Sequence, residues 1–208
     1  MLHCTIYARS GELNRGGKLG EREMRRVLHH TFPLGGAIRQ LRPSDHTRFE
    51  AHLLRLDAES RRDRFNGLCD DTFVRTYADR CFHDGTTVIA FVDDEGYVRG
   101  AAELHERPEI PEPTAEIAFS VEKMLQHRGL GGMLFERLIG HAYALGYEKL
   151  LVTTHPQNEA MKALARRFNA RLSFASGETM GVIDLAPNRE NFVPFWTQQH
   201  VHPQVARD

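Results

Sequence analysis

Between Glu116 and Gly146 the hydrophobic period of the chain changes once, and that change limits what the chain can fold into. Residues 115–121 alternate, with Ala115, Ile117, Phe119 and Val121 on one face and Glu116, Ala118 and Ser120 on the other. After a compact turn comes Gln126-His127-Arg128-Gly129-Leu130-Gly131. Apolar residues then return at helical spacing as Leu130, Leu134, Leu138 and Ala142, with Met133, Phe135, Ile139 and Leu145 widening the stripe. A glycine-rich turn opening a helix leaves backbone N–H groups unpaired at the positive end of the helix dipole, a seat suited to phosphate. Glycines that only relieve crowding in an ordinary strand-turn-helix give the same pattern. Residues 147–154 form a strand reached through a helical crossover, which implies parallel pairing with the strand before it.

The flanking segments supply the rest of a domain. Residues 38–42 alternate and stop at Pro43-Ser44-Asp45, where Ser44 or Asp45 is expected to cap a helix whose apolar face is Phe49, Leu53, Leu54 and Leu56. A second helix over 58–65 is highly charged. Its Arg61, Arg62, Asp63 and Arg64 read as a solvated face around the anchor Phe65. A third helix, capped by Asp70 or Asp71, turns Phe73, Val74 and Tyr77 inward, and the three together form the side wall of a cleft. Residues 87–92 and 97–105 pair as a hairpin around Asp93-Asp94-Glu95-Gly96. The prolines in 107–113 make that segment a surface loop. Downstream, 159–168 is a helix with the stripe Met161, Leu164, Ala165 and Phe168, followed by a hairpin of 172–175 and 180–185 around Gly177-Glu178.

Three segments result. Residues 1–37 read as an N-terminal extension, with a brief strand over 1–8, a glycine-rich loop over 9–20 and a short basic helix over 21–30. Residues 38–186 form one domain, and 187–208 form a tail carrying Phe192, Phe195 and Trp196. With 208 residues and 41% hydrophobic content, the chain can bury a proper core. Its 27 Lys plus Arg against 28 Asp plus Glu leave a net charge of -1, which provides no field to gather nucleic acid, and the 61–64 cluster is too mixed in sign to supply one. Cys4, Cys69 and Cys81 form no C-x-x-C pair and suit reduced thiols in the cytoplasm. No apolar run approaches the ~20 residues of a membrane span, and the N-terminus lacks the layout of a secretory signal. The twelve histidines show no metal-ligand spacing, so no metal is expected.

The order strand, helices, hairpin, strand, glycine turn and helix, strand, helix, hairpin, with Gln126-x-x-Gly129-x-Gly131, resembles the GNAT superfamily of N-acetyltransferases over roughly residues 38–186. The phrases Leu41-Arg42-Pro43-Ser44-Asp45, Arg62-Asp63-Arg64-Phe65 and Ala115-Glu116-Ile117-Ala118 are similar to those of the acetyltransferase domain of bacterial protein-lysine acetyltransferases. The resemblance implies a mixed α/β fold: a twisted, mostly antiparallel sheet with one splayed parallel pair and helices on both faces. It implies acetyl-CoA as co-substrate, its pantetheine arm in the splay beside Phe119, Ser120 and Val121. Its pyrophosphate would lie on the amides of His127, Arg128, Gly129, Leu130, Gly131 and Gly132, and Gln126 opens the same cofactor-binding run. Asn158 contacts the cofactor arm in such relatives, and equally reads as the cap of the helix starting at Glu159.

Acetyl transfer to an amine needs a neutral amine, and an alkylammonium starts near a pKa of ~10.4, so a carboxylate that accepts its proton, directly or through water, is a natural base. Glu116 is the first candidate, matching the glutamate of the Ala-Glu-Ile-Ala phrase; a solvent-facing strand residue is the competing reading. Glu103 and His105 on the neighbouring strand are secondary candidates, each alone reading as solvated. Backbone N–H groups near Phe119–Val121 would polarise the thioester carbonyl. Neither Ser-His-Asp nor Cys-His chemistry is suggested, and Cys69 and Cys81 read as core thiols. Many members of the resembling superfamily carry a thiolate-protonating tyrosine seven residues after the Asn; here that place is Ala165. Three functions remain: acetylation of a protein lysine, acetylation of a small amine, and a non-catalytic acyl-CoA-binding regulatory domain. The aromatic tail suits a homodimer.

Overall fold

The computed structural model describes residues 35–185. The expected leader segments over 1–8, 9–20 and 21–30 and the tail over 187–208 lie outside the described residues.

Seven strands form one sheet in the order β1-β2-β3-β4-β5-β7-β6. β1 (Gly36–Gln40), β2 (Thr86–Asp93), β3 (Val98–Glu106) and β4 (Thr114–Val121) run antiparallel in succession. β5 (Lys149–Thr154) lies parallel to β4, as a crossover through the helix between them requires. β6 (Arg171–Ala175) and β7 (Glu178–Asp184) form the last hairpin, and it is β7 that pairs with β5. The β2–β3 turn closes where expected: the Asp93 carboxylate accepts the Tyr97 N–H at 2.7 Å, and Gly96 supplies the positive φ.

Alternation along β4 divides the molecule into two layers. Phe119 stacks on Phe135 of α4 (Leu130–Leu145), ring centres 4.9 Å apart, and Phe135 stacks on Phe168 at 4.1 Å. α4 and α5 (Glu159–Arg167) thus cover one face, where Leu130, Leu134 and Leu138 are fully buried. Ser120 turns to the other face and meets His52 of α1 (His46–Arg55). α2 (Ala58–Phe65) and α3 (Asp71–Arg80) complete that layer, where Phe49, Leu53, Val74 and Ala78 pack on Val88, Ala90 and Ala101.

Cap chemistry sets the helix ends, with one departure from the sequence reading. Asp70 accepts the Phe73 N–H and starts α3, and Asp57 does the same for α2 through Glu59 and Ser60. Asp45 occupies the position before α1, yet its side chain does not cap that helix. Pro43–Asp45 is a 3-10 turn, and the carboxylate takes two bonds from Arg39, at 2.7 and 2.8 Å, and the Arg42 N–H. A fork-to-fork ion pair outcompetes a single backbone donor, and it ties β1 to the start of the helical layer.

A second charged knot holds the end of β4. Glu122 accepts from Arg55 at 2.8 and 3.0 Å, from Arg99 at 3.1 Å, and lies 3.4 Å from His52 Nδ1. Burial opposes its charge, but His52, Arg55 and Arg99 outweigh it and bring its pKa down to about 2. A depressed carboxylate stabilises the fold fully above its unfolded value of ~4.3 and loses that contribution as pH falls towards the folded value. Glu122→Gln should therefore cost about 2 kcal/mol at neutral pH. The variant should also show a shallower loss of stability between about pH 4.5 and 2, measured by urea unfolding across that range.

Candidate active site

A cleft of about 370 Å³ opens where β4 and β5 part. Arg107 N donates to Thr114 O and Glu122 N to Arg99 O, each at 3.0 Å, which fixes the alternation of the β3–β4 ladder. The main-chain groups of even-numbered β4 residues face β3; those of Ala115, Ile117, Phe119 and Val121 face the β5 side. Pairing with β5 covers only Thr114↔Lys149, Ala115↔Leu150 and Glu116↔Leu151. Beyond that point the main chains of Phe119 and Val121 border a gap, whose far wall is Val152, Thr153 and Thr154.

The expected cofactor residues divide accordingly. Phe119 lines the cleft. Ser120 does not: its main chain lies in the ladder opposite Ala101, and its Oγ meets His52 Nε2 at 2.9 Å. Burial lowers the His52 pKa and keeps the ring neutral, so Nδ1–H donates to Glu122 and Nε2 accepts from the Ser120 hydroxyl. Sequence spacing gave no hint of this Ser-His-Glu set. It is sealed from substrate, since Ser120, His52 and Glu122 are all buried, and it serves to fasten α1 to β4.

Gln126 also has a structural task. Its amide donates to the Ser60 hydroxyl and to Val121 O, both at 2.9 Å, bracing the end of β4 against α2. The turn that follows is exposed at His127, Arg128 and Gly129, with positive φ at His127 (57°) and Gly129 (86°). Gly129 precedes the first turn of α4 in a left-handed conformation that a side chain would strain. Leu130 is buried in the core, so only its main chain can serve a ligand, and the same holds for Gly131 and Gly132. Asn158 lines the cleft while its Oδ1 caps α5, accepting the Met161 N–H at 2.9 Å.

On the other side of the cleft stand Glu116 and His105, directly opposite each other in register and therefore on the same sheet face. Arg107 pairs with Glu116 through Oε2. Glu103 does not reach the cleft and is not solvated. It is 0% exposed, and its Oε2 accepts from Arg64 Nη2 at 2.7 Å, from the Tyr77 hydroxyl and from His105 Nε2 at 3.1 Å. Burial opposes the Glu103 charge, but Arg64 and His105 win and hold its carboxyl well below the usual range. Burial likewise pushes the Tyr77 phenol and the Cys81 thiol well up.

Arg64, expected on a solvated face, has only 7% of its side chain exposed, because Glu103 demands a cation inside the sheet-helix layer. The signal was present: Glu103 stands in Gly100-Ala101-Ala102-Glu103-Leu104, a carboxylate in an apolar strand, and such a group must find a partner. Cys81, Glu103 and His105 bring ligand atoms within 4.8 Å of one another, but Arg64 already supplies the positive charge there. Phe73, expected inward, is 42% exposed at the cleft, where it packs edge-on against Phe65. Asn66, which ends α2, donates to Glu178 across the cleft lining. Tyr143 cannot replace the tyrosine missing at Ala165, for its hydroxyl donates to Leu185 O, outside the cleft lining.

Comparison with known proteins agrees with this geometry. Residues 51–170 match the Acetyltransferase (GNAT) family, and the chain belongs to that family. The GNAT domain of S. lividans PAT superposes with a TM-score of 0.63 at 20% identity, covering 72% of this chain and 90% of that one. Spermidine N-acetyltransferase from Vibrio cholerae, solved with CoA and spermine, gives 0.57 at 16% identity over 73% and 96%. Phosphinothricin acetyltransferase from Sinorhizobium meliloti, solved with AcCoA, gives 0.57 at 17% over 84% and 100%. At these identities the likeness is one of fold. No curated protein matches the chain by sequence. Among the described residues no helix is long and apolar enough to cross a membrane.

The Arg64–Glu103 pair can be tested by halves. Arg64→Met leaves a buried carboxylate without its cation and should cost about 3–5 kcal/mol in denaturant unfolding. Adding Glu103→Leu to it should return most of that loss.

Proposed function

We propose that the protein is an N-acetyltransferase that moves an acetyl group from acetyl-CoA directly to a primary amine, with a protein lysine as the favoured acceptor. The observation that carries this reading is the parting of β4 and β5 immediately after Glu116↔Leu151, with Glu116 facing the cleft at the parting point. The lysine preference rests on the Leu41–Asp45, Arg62–Phe65 and Ala115–Ala118 phrases; spermidine N-acetyltransferase on the same fold makes a small amine the alternative. In this reading residues 38–186 are the catalytic domain, 1–37 an extension and 187–208 a tail, and the protein works in the cytoplasm.

The residues present fit a coenzyme A group. The Phe119 main chain and the Val121 N–H border a gap that a pantetheine arm would fill as a short extra strand. The exposed turn over 127–129, with His127 and Gly129 left-handed, and the first turn of α4 present main-chain N–H groups suited to pyrophosphate. When bound, acetyl-CoA supplies the acetyl group as an activated thioester. The rest falls to the chain. Glu116 takes the amine proton on Oε1, since Arg107 holds Oε2. His105, opposite Glu116 and bonded to Glu103, is the second group placed to orient the amine. The Phe119 N–H is the donor for developing charge on the carbonyl oxygen.

The decisive experiment compares Glu116→Gln with wild type. Calorimetric titration should give unchanged acetyl-CoA affinity, while mass spectrometry of candidate proteins and amines should show transfer reduced by about 10²–10⁴-fold. Undiminished transfer would remove Glu116 as the base. Binding by the wild-type protein with no acceptor ever acetylated would favour the regulatory acyl-CoA domain, the reading that Ala165 supports.

A further inference from the structure

Thr154 is the last residue of β5, and its hydroxyl meets no partner among the described residues. Along β5 the buried positions are Leu150, Val152 and Thr154, while Lys149, Leu151 and Thr153 are partly exposed. Thr154 therefore stands where the pattern supplies aliphatic side chains, and it is only 4% exposed. Its Oγ1 is buried without a hydrogen-bond partner among the described residues. Such a group costs about 1–3 kcal/mol, and a valine of nearly the same shape would avoid that cost. An orphaned hydroxyl in a native structure calls for a reason.

Its position supplies one. Thr154 lines the cleft. The three paired residues of β4 and β5 share one register, Thr114↔Lys149 through Glu116↔Leu151. Continued across the gap, that register sets Thr154 level with Phe119, on the face that Phe119 shares with α4. Glu116 faces the opposite layer. A base on one side of the gap and a hydroxyl on the other suit attack by an amine from the first side and departure of sulfur towards the second. Ala165, buried in α5, offers no hydroxyl on that second side.

We propose that the Thr154 hydroxyl is the hydrogen-bond donor to the sulfur of the acyl carrier, holding it as thioester and then as thiolate. The proposal rests on the acetyl-CoA reading above. As the acceptor nitrogen bonds to the acetyl carbon, the carbon–sulfur bond breaks with its electron pair left on sulfur, and the amine proton passes to Glu116. The Thr154 O–H donates to the charged sulfur without surrendering its proton. Water then protonates the thiolate, whose reference pKa of about 8.5 lies far below that of an alcohol.

Thr154→Val and Thr154→Ser separate this role from packing. Calorimetric titrations would use CoA and desulfo-CoA, which lacks only the thiol. Wild type should prefer CoA at high pH, where the thiol ionises. Thr154→Val should lose about 10–150-fold in CoA affinity at high pH, the worth of one hydrogen bond to a charged group, with desulfo-CoA affinity unchanged, and Thr154→Ser should keep the preference. Thiolate ultraviolet absorbance should show the bound CoA thiol titrating at higher pH in Thr154→Val. Because the valine removes a buried unpaired hydroxyl, Tm should hold or rise. Equal weakening towards both ligands, no weakening towards either, or a fall in Tm would overturn the proposal. Failure of wild type to bind either ligand would overturn the acetyl-CoA reading, and this one with it.

Discussion

Three parallel residue pairs hold β4 to β5, and the site depends on that pairing stopping where it does. Each further pair would consume main-chain groups that now border the cleft. Both strands are also held on their outer edges, β4 by β3 over Gly100–Glu106 and β5 by β7 over its whole length. The end of β4 is also held by side chains: Ser120 by His52, Glu122 by Arg55 and Arg99, and Val121 O by Gln126. With both strands fixed independently, the space between them is built into the frame of the protein.

The wall opposite the gap rests on one ion pair. Arg64 reaches through the α2 layer to Glu103, and Tyr77 and His105 join the same oxygen. This pins α2 and α3 over β3 and sets Phe65, Phe73 and Tyr77 around the cleft. The layer is not held by apolar contact alone on this side, since α2 has no buried residue. A charge inside the sheet-helix layer thus decides where a charged helix sits.

Much of the fold was legible in the sequence because period and punctuation act locally. The alternation over 115–121, the glycine turn, the crossover and the two hairpins all appear as read, and the belonging to the GNAT family followed from their order. What was not legible depends on pairings between residues far apart in the chain. Arg64 and Glu103 lie 39 residues apart with α3 and β2 between them, His52 and Ser120 lie 68 apart, and no local pattern joins them. The site was half legible for the same reason. Glu116, Phe119 and Asn158 line the cleft, where the resemblance placed them, and Asn158 also caps α5 as its place before Glu159 suggested. Ser120, before the motif, and Gln126, its first residue, turn their side chains away from the cleft, because partners on α1 and α2 settled their direction. Thr154 escaped notice because a hydroxyl in a buried alternation is conspicuous only once its lack of a partner is seen.

The alternation that sends β4 side chains to two layers leaves its main chain free to face β5. A slot bordered by peptide groups offers the same donors and acceptors whatever side chains flank it. Such a chain can exchange most of its residues, provided the apolar period and the turn survive, and still present an unchanged seat to a ligand. The helical wall opposite, made of side chains, has no such immunity. Shape is therefore the durable record in this protein, which is how structures sharing 16–20% of its residues share its backbone.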